Sequence, residues 1–154
     1  MRAPALWLGL WLAIWGVYGC GSECGGICGS QCELIQCAHN RVNCRIFPGQ
    51  AYLVDYLNMI NDIDRTWTAQ LTIDIEGLTL GQQVLLEGTE FTNRVHIARP
   101  GEGEQWPEFS GKNCKLDETG QKQGERLAGQ CNFQFTNGRF ASFNFSCSLE
   151  EVNP

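Results

Sequence analysis

The chain reads as mainly β: a small antiparallel β-sandwich or barrel, preceded by a disulfide-rich, Gly-rich N-terminal segment with space for one short helix. Three observations carry that expectation. Over residues 67–76, Trp67, Ala69, Leu71, Ile73 and Ile75 alternate with Thr68, Gln70, Thr72, Asp74 and Glu76, the period-two pattern of a half-buried strand. Further strand-length segments follow, separated by clusters of Gly and Asn, at the spacing of antiparallel sandwiches and barrels. Nine cysteines stand among 154 residues, and six of them lie between Cys20 and Cys44, a density that belongs to an oxidising compartment.

The chain begins with a greasy leader, residues 1–19. Arg2 supplies a short basic start, and an apolar run extends from Ala5 to Val17. That run is too short to cross a bilayer, which needs about 20 residues, so it reads as an export signal. Trp7, Trp11 and Trp15 share one face of the signal helix as bulky apolar filler. The leader ends in Val17-Tyr18-Gly19-Cys20: an aliphatic residue, a variable one, a small one and a thiol.

These four residues resemble the lipobox of bacterial secretory lipoproteins. Tyr18 is bulkier than the Ala or Ser usual at its position. The resemblance implies that Cys20 becomes the mature N-terminus, carrying a diacylglyceryl thioether and a further amide-linked chain such as palmitate. One buried chain anchors marginally and two or more anchor stably, at ~0.8 kcal/mol per methylene. Gly21 follows in place of Asp, which resembles the lipoproteins sorted to the outer membrane. The implied partner is therefore a membrane, reached through a lipid anchor.

Parity links the anchor to the other thiols. Lipidating Cys20 leaves eight cysteines for bridges: Cys24, Cys28, Cys32, Cys37, Cys44, Cys114, Cys131 and Cys147. Their spacing favours disulfides over metal, because no C-x2-C knuckle occurs. Cys24, Cys28 and Cys32 stand near the C-x3-C-x2-C pattern of radical enzymes, but the second gap is one residue too long. Cys37 and Cys44 around His39 form only a weak zinc set. Gly21, Gly25, Gly26 and Gly29 oppose a helix before Ser30, each at a cost of about 1 kcal/mol. A short helix over residues 31–38, burying Leu34 and Ile35, is expected after them.

Phe47-Pro48-Gly49 punctuates the chain. It divides a cysteine-rich segment, residues 20–48, from a β-rich domain, residues 49–154. Residues 51–67 fit two alternatives. Leu53, Leu57, Ile60 and Ile63 fall near helical spacing, and a strand followed by a turn fits as well. Beyond the alternating run, strands are expected near 82–87, 93–98, 108–115, 126–136 and 139–149.

The last two segments fix a register. A two-residue Asn137-Gly138 loop would put Phe133 and Phe135 on the face opposite Phe143 and Phe145. A three-residue loop, with Gly138 in a left-handed bulge, gathers Cys131, Phe133, Phe135, Ala141, Phe143, Phe145 and Cys147 on one buried face. Cys131 then faces Phe143, and Cys147 faces Leu127, four positions away. At about 3.4 Å per residue that exceeds the ~7 Å limit between bridged Cα atoms. Cys114 is accordingly expected to bond Cys131, and Cys147 to bond the cysteine-rich segment, whose remaining four thiols close two local bridges.

Acidity excludes one partner class. With 11 Lys and Arg against 17 Asp and Glu, the chain lacks the basic surface that nucleic acid requires. Catalytic patterns are scarce. His39 and His96 are the only imidazoles, His96 sits in a strand-like context, and no G-x-S-x-G, phosphate loop or H-E-x-x-H occurs. Asn61, Asp62 and Asp64 lack the glycine and final glutamate of a calcium loop and read as turn chemistry. Asn144-Phe145-Ser146 is a glycosylation sequon facing away from the aromatic side. Glu102, Glu104 and Glu108 surround Trp106, a combination found on sugar-binding surfaces and in glycosidases.

Two functions follow as expectations, neither with a cofactor or metal. The first is a non-enzymatic, lipid-anchored cell-envelope protein whose small β-domain binds polysaccharide or protein, or serves a structural role. The alternative is an envelope glycan hydrolase using the 102–108 carboxylates, which requires two carboxyls about 5–10 Å apart in a cleft.

Overall fold

Alternation of apolar and polar residues sets most of the strands. A computed structural model describes residues 26–34, 37, 39, 41–59, 65–100 and 105–152. The leader, Cys20, Cys24, Asn61, Asp62, Asp64, Glu102 and Glu104 lie outside the described residues. The strands are β1 (Gly26–Cys28), β2 (Arg41–Phe47), β3 (Ala51–Met59), β4 (Arg65–Asp74), β5 (Val84–Glu87), β6 (Val95–Ala98), β7 (Asn113–Thr119), β8 (Arg126–Gln134) and β9 (Phe140–Glu151). One short helix, α1 (Gly88–Arg94), joins β5 to β6.

The strands form one curled sheet in the order β5-β7-β8-β9-β2-β3-β4-β6, with β1 added beside β9. β9 is the corner of the curl. Its residues 140–148 pair antiparallel with β8, and Leu149, Glu150 and Glu151 then run parallel to Cys44, Arg45 and Ile46. The two halves thus face each other across a core of Ile46, Tyr52, Val54, Tyr56, Leu71 and Ile73 on one side and Leu116, Leu127, Cys131, Phe133, Phe143 and Phe145 on the other. Each fully buried side chain of this size stabilises by roughly 1.5–3 kcal/mol. Since β5 and β6 end the sheet order, α1 bridges the open side of the curl. It drives buried Phe91 against Phe109 and Phe133, with ring centroids 6.0 and 5.2 Å away.

The last hairpin takes the three-residue loop. Phe135 N–H donates to Arg139 O at 2.8 Å, and Gly138 N–H donates to Phe135 O at 3.0 Å. Gly138 has φ of 80°, as a left-handed bulge requires. Leu127 faces Cys147, Cys131 faces Phe143 and Phe133 faces Ala141, the register expected from the aromatic pattern.

Three expectations are refined by packing. Residues 51–59 form strand β3, which rules out the helical alternative, and the inward residues are Tyr52, Val54 and Tyr56 at period two. Residues 93–94 complete α1 before β6 begins, so that strand is shorter than expected. Near the N-terminus, Ser30–Glu33 forms a single 3-10 turn, and Leu34 is 52% exposed instead of buried. The turn packs Cys32 against the core and is held by polar contacts to the tip of the last hairpin. Asn137 Nδ2 donates to Gln31 Oε1 at 3.0 Å, and Arg139 Nη1 donates to Ser30 O at 2.7 Å.

Two bulges bend the sheet where no sequence pattern marks them. Tyr56 pairs with Ala69 and Leu57 with Trp67, leaving Thr68 as the extra residue; Tyr56 and Leu57 are consequently both buried. Leu116 pairs with Gly129 and Glu118 with Ala128, leaving Asp117 extra and turning two adjacent carboxylates to solvent.

Candidate functional site

The outer face of β7, β8, β9 and β1 is built from amides and hydroxyls. Alternation that sends Cys131, Phe133, Phe143 and Phe145 inward sends Gln130, Asn132, Ser142 and Asn144 outward. Register places these in rows. Asn113, Asn132, Ser142 and Cys28 stand side by side across four strands, and so do Lys115, Gln130, Asn144 and Gly26. In the first row Asn132 Nδ2 donates to Asn113 Oδ1 at 2.7 Å, and Ser142 Oγ donates to Asn132 Oδ1 at 2.6 Å. In the second, Asn144 Nδ2 lies 3.5 Å from Gly26 O and 3.9 Å from Cys28 Sγ, so the sequon asparagine is on the outer face but turned toward β1.

Beyond these rows the Asp117 bulge opens a shallow depression of about 380 Å³, walled by Asp117, Glu118, Gln130, Asn144 and Ser146 over Ala128. Its charges are paired. Lys115 Nζ sits 2.7 Å from Asp117 Oδ1, which also accepts from Gln83 Nε2 at 2.9 Å; the bond from Lys115 is the main reason the Asp117 carboxyl is held below its ordinary range. Arg126 Nε lies 3.4 Å from Glu118 Oε1, and the same guanidinium donates to Ser146 Oγ. Among the described residues lining this depression there is neither a thiol nor an imidazole. The chemistry on offer is hydrogen bonding from and to side-chain amides and hydroxyls.

The opposite outer face carries a feature that sequence reasoning missed. Asp55 sits in the apolar run Val54-Asp55-Tyr56 and is 1% exposed. Arg45 on the neighbouring strand binds it with Nε at 2.8 Å and Nη2 at 2.7 Å, and Gln70 Nε2 donates to its other oxygen at 2.9 Å. The Arg45 guanidinium also lies 5.7 Å from the centre of the Trp67 ring. Burial raises the Asp55 carboxyl above its ordinary value, against the lowering effect of Gln70 and Arg45. The signal that could have revealed it is a lone carboxylate in an apolar strand, ten residues from an arginine across the Pro48-Gly49 turn.

The 102–108 loop is described from residue 105. Trp106 is half-buried, stacked on Phe135 at 6.0 Å with 10° between the planes and tilted on Phe143 at 5.3 Å. Its Nε1 is buried without a hydrogen-bond partner among the described residues. Glu108 is exposed, and its backbone carbonyl accepts from Thr136 N–H at 2.9 Å. The indole thus extends the aromatic core, while the one described carboxylate of the group points to solvent. His96 is exposed on β6, and His39 meets Tyr56 edge-on at 5.7 Å.

Seven cysteines are described, and all are oxidised. Cys114 bonds Cys131 across β7 and β8 with Cα atoms 3.9 Å apart; Cys44 bonds Cys147 across β2 and β9 at 5.8 Å; Cys32 bonds Cys37 at 5.3 Å. Cys28 is also disulfide-bonded, to a partner outside the described residues. Cys114–Cys131 is the pairing expected across its hairpin, and Cys147 bonds the cysteine-rich segment as expected, with Cys44 as the partner that the sequence left open. Among the described residues, no three His, Cys, Asp or Glu side chains gather as a metal site, and no helix is long and apolar enough to cross a membrane.

Comparison of the chain with protein families, with curated proteins and with solved structures finds no match.

Proposed function

We propose that this chain is a lipid-anchored protein of the bacterial cell envelope, fastened through Cys20, whose disulfide-stabilised β-domain is a binding or structural module and not an enzyme. The observation that carries the reading is the state of the thiols. Of nine cysteines, seven are described and bonded, six of them to one another. Cys28 must take one of the two that remain, Cys20 or Cys24. One thiol is left over. A diacylglyceryl thioether on Cys20, as the lipobox-like Val17-Tyr18-Gly19-Cys20 implies, accounts for the remainder and assigns Cys24 to Cys28.

The reading of the domain as a binding module is supported by its outer faces, where amides, hydroxyls and paired charges are arranged without a nucleophile. A polysaccharide or a polar protein surface is the partner class such groups suit. The inward packing of Trp106 favours this over glycan hydrolysis, because the indole is already stacked on Phe135 and Phe143. Gly21 supports sorting to the outer membrane.

Intact-mass measurement of the mature protein, with acyl-chain labelling of the wild type and of Cys20→Ser, tests the anchor. The expected result is a triacylated Cys20 in the wild type and a released, unlabelled variant. An unmodified Cys20 would sink the proposal.

A further inference from the structure

Gly26, the first residue of β1, pairs with Asn144 at the middle of β9. On the lipoprotein reading, from which this inference proceeds, only residues 21–25 separate the anchored Cys20 from Gly26. Six Cα steps at ~3.3–3.6 Å each reach at most about 20 Å. β9 alone, twelve residues long, extends about 40 Å. A body of that size on so short a leash cannot swing clear of the bilayer, and the surface nearest Gly26 is the one brought to the headgroups.

That surface is the amide-lined face. Gln130 and Asn144 continue the row of Gly26, and Asn132 and Ser142 continue the row of Cys28. All four are uncharged. The carboxylates farther out on the same face, Asp117 and Glu118, are matched by Lys115 and Arg126. On a chain of net charge −6 this is a neutral approach surface, where an unpaired acidic one would repel anionic lipid. Asp74, Glu76 and Glu90 cluster around Arg94 at the other end of the sheet order, beside α1.

We infer that the anchor lays the face formed by β1, β8 and β9 against the lipid headgroups. There the side-chain amides of Gln130, Asn132 and Asn144 donate to phosphate and ester oxygens, and the opposite face, with Arg45, Trp67 and His96, is presented to the envelope partner. The lipid surface is the occupant because the leash leaves no room for a macromolecule between the two.

The test uses the full chain, expressed with its leader, purified in its acylated form and reconstituted in phosphatidylethanolamine and phosphatidylglycerol vesicles containing a headgroup-nitroxide lipid. A fluorescent amino acid is placed at exposed Gln130 or, in a second variant, at exposed His96. The expected result is quenching at 130 and its loss at 96, with the difference abolished by a Gly/Ser spacer of about 20 residues inserted after Gly21. Should the reporter at 130 prevent folding, exposed Gln134 on the same face carries it instead. Equal quenching at the two positions, or stronger quenching at 96, in a protein shown by mass to be acylated overturns the orientation alone. An unacylated Cys20 overturns both the orientation and the lipoprotein reading.

Discussion

Arg45 holds Asp55 from the neighbouring strand, with Nε and Nη2 both within 2.8 Å of one carboxylate oxygen. The carboxylate is buried and the guanidinium is partly exposed, so the pair is asymmetric. Removing Arg45 strands a buried charge, whereas removing the charge does not. Arg45→Ala should destabilise by about 2 kcal/mol, below the ~3–5 kcal/mol of fully buried pairs because Arg45 is partly solvated. Asp55→Asn should cost about half as much. Urea unfolding of the two variants checks the order.

The same carboxyl sets a pH dependence. Burial raises the folded value of Asp55, so the native state holds this proton more tightly than the unfolded chain. Its contribution to stability is fully present below the unfolded value, about 3.9. It is lost as pH rises through the higher folded value. Asp55→Asn has no such loss, so its stability relative to wild type should improve as pH rises through that window. Chemical melts of both proteins across the acid range report the difference directly, and parallel curves would contradict it.

The disulfides should rank by the loop each closes. Chain entropy gives about 4.7 kcal/mol for Cys44–Cys147 and about 3 for Cys114–Cys131, against about 2 for Cys32–Cys37, following sequence separations of 103, 17 and 5. Double Cys→Ala variants measured by guanidinium unfolding should fall in that order. The first two also lose buried sulfur, which widens their gap from the third.

Two glycines that look alike in sequence should differ in tolerance. A Cβ on Gly129 would collide with Lys115 O and lie 3.1 Å from Phe145 Cζ, so Gly129→Ala should cost about 1–3 kcal/mol by overpacking β7 against β8. A Cβ on Gly138 meets nothing within 4 Å, and Gly138→Ala should cost only its left-handed backbone, roughly 1 kcal/mol. Thermal or urea midpoints of the two variants decide this.

Tyrosine ionisation offers a readout of the core. Of three tyrosines, Tyr52 and Tyr56 are described, and a chain beginning at Cys20 contains these two alone. Burial, with a smaller contribution from Glu125, pushes Tyr52 up to about 12, and burial holds Tyr56 well above its ordinary value. Their hydroxyls donate to Gly120 O and Asn144 O. Both folded values exceed the unfolded value near 10, so the associated stability is intact below pH ~10 and is lost as pH rises through the folded values. Absorbance of tyrosinate should stay absent at pH 10–11 and appear together with unfolding; gradual ionisation of a folded chain would contradict the burial.

The final hairpin is legible because its aromatic residues and cysteines permit one register, and that register by itself excludes a Cys131–Cys147 bond. Other parts were not legible for physical reasons. β2 alternates, with Arg41, Asn43 and Arg45 outside and Val42, Cys44 and Ile46 toward the core, but the alternation spans only six residues and ends a cysteine-dense stretch that reads as disulfide framework. Helix α1 is two turns long, too short to show a period. The bulges at Thr68 and Asp117 depend on the curl of the whole sheet. Trp106 stands beside glutamates in sequence, yet its ring is claimed by Phe135 and Phe143.

The Cys44–Cys147 bond also orders events in time. A chain made from its N-terminus presents Cys28, Cys32, Cys37 and Cys44 together while Cys147 is still 103 residues away from Cys44, an interval of roughly 5–20 s at ~5–20 residues per second. During that interval Cys44 has only wrong neighbours to bond. Maturation of this protein should therefore depend on thiol–disulfide reshuffling after β9 has emerged, and a host that oxidises thiols without isomerising them should accumulate a chain locked at its N-terminal end.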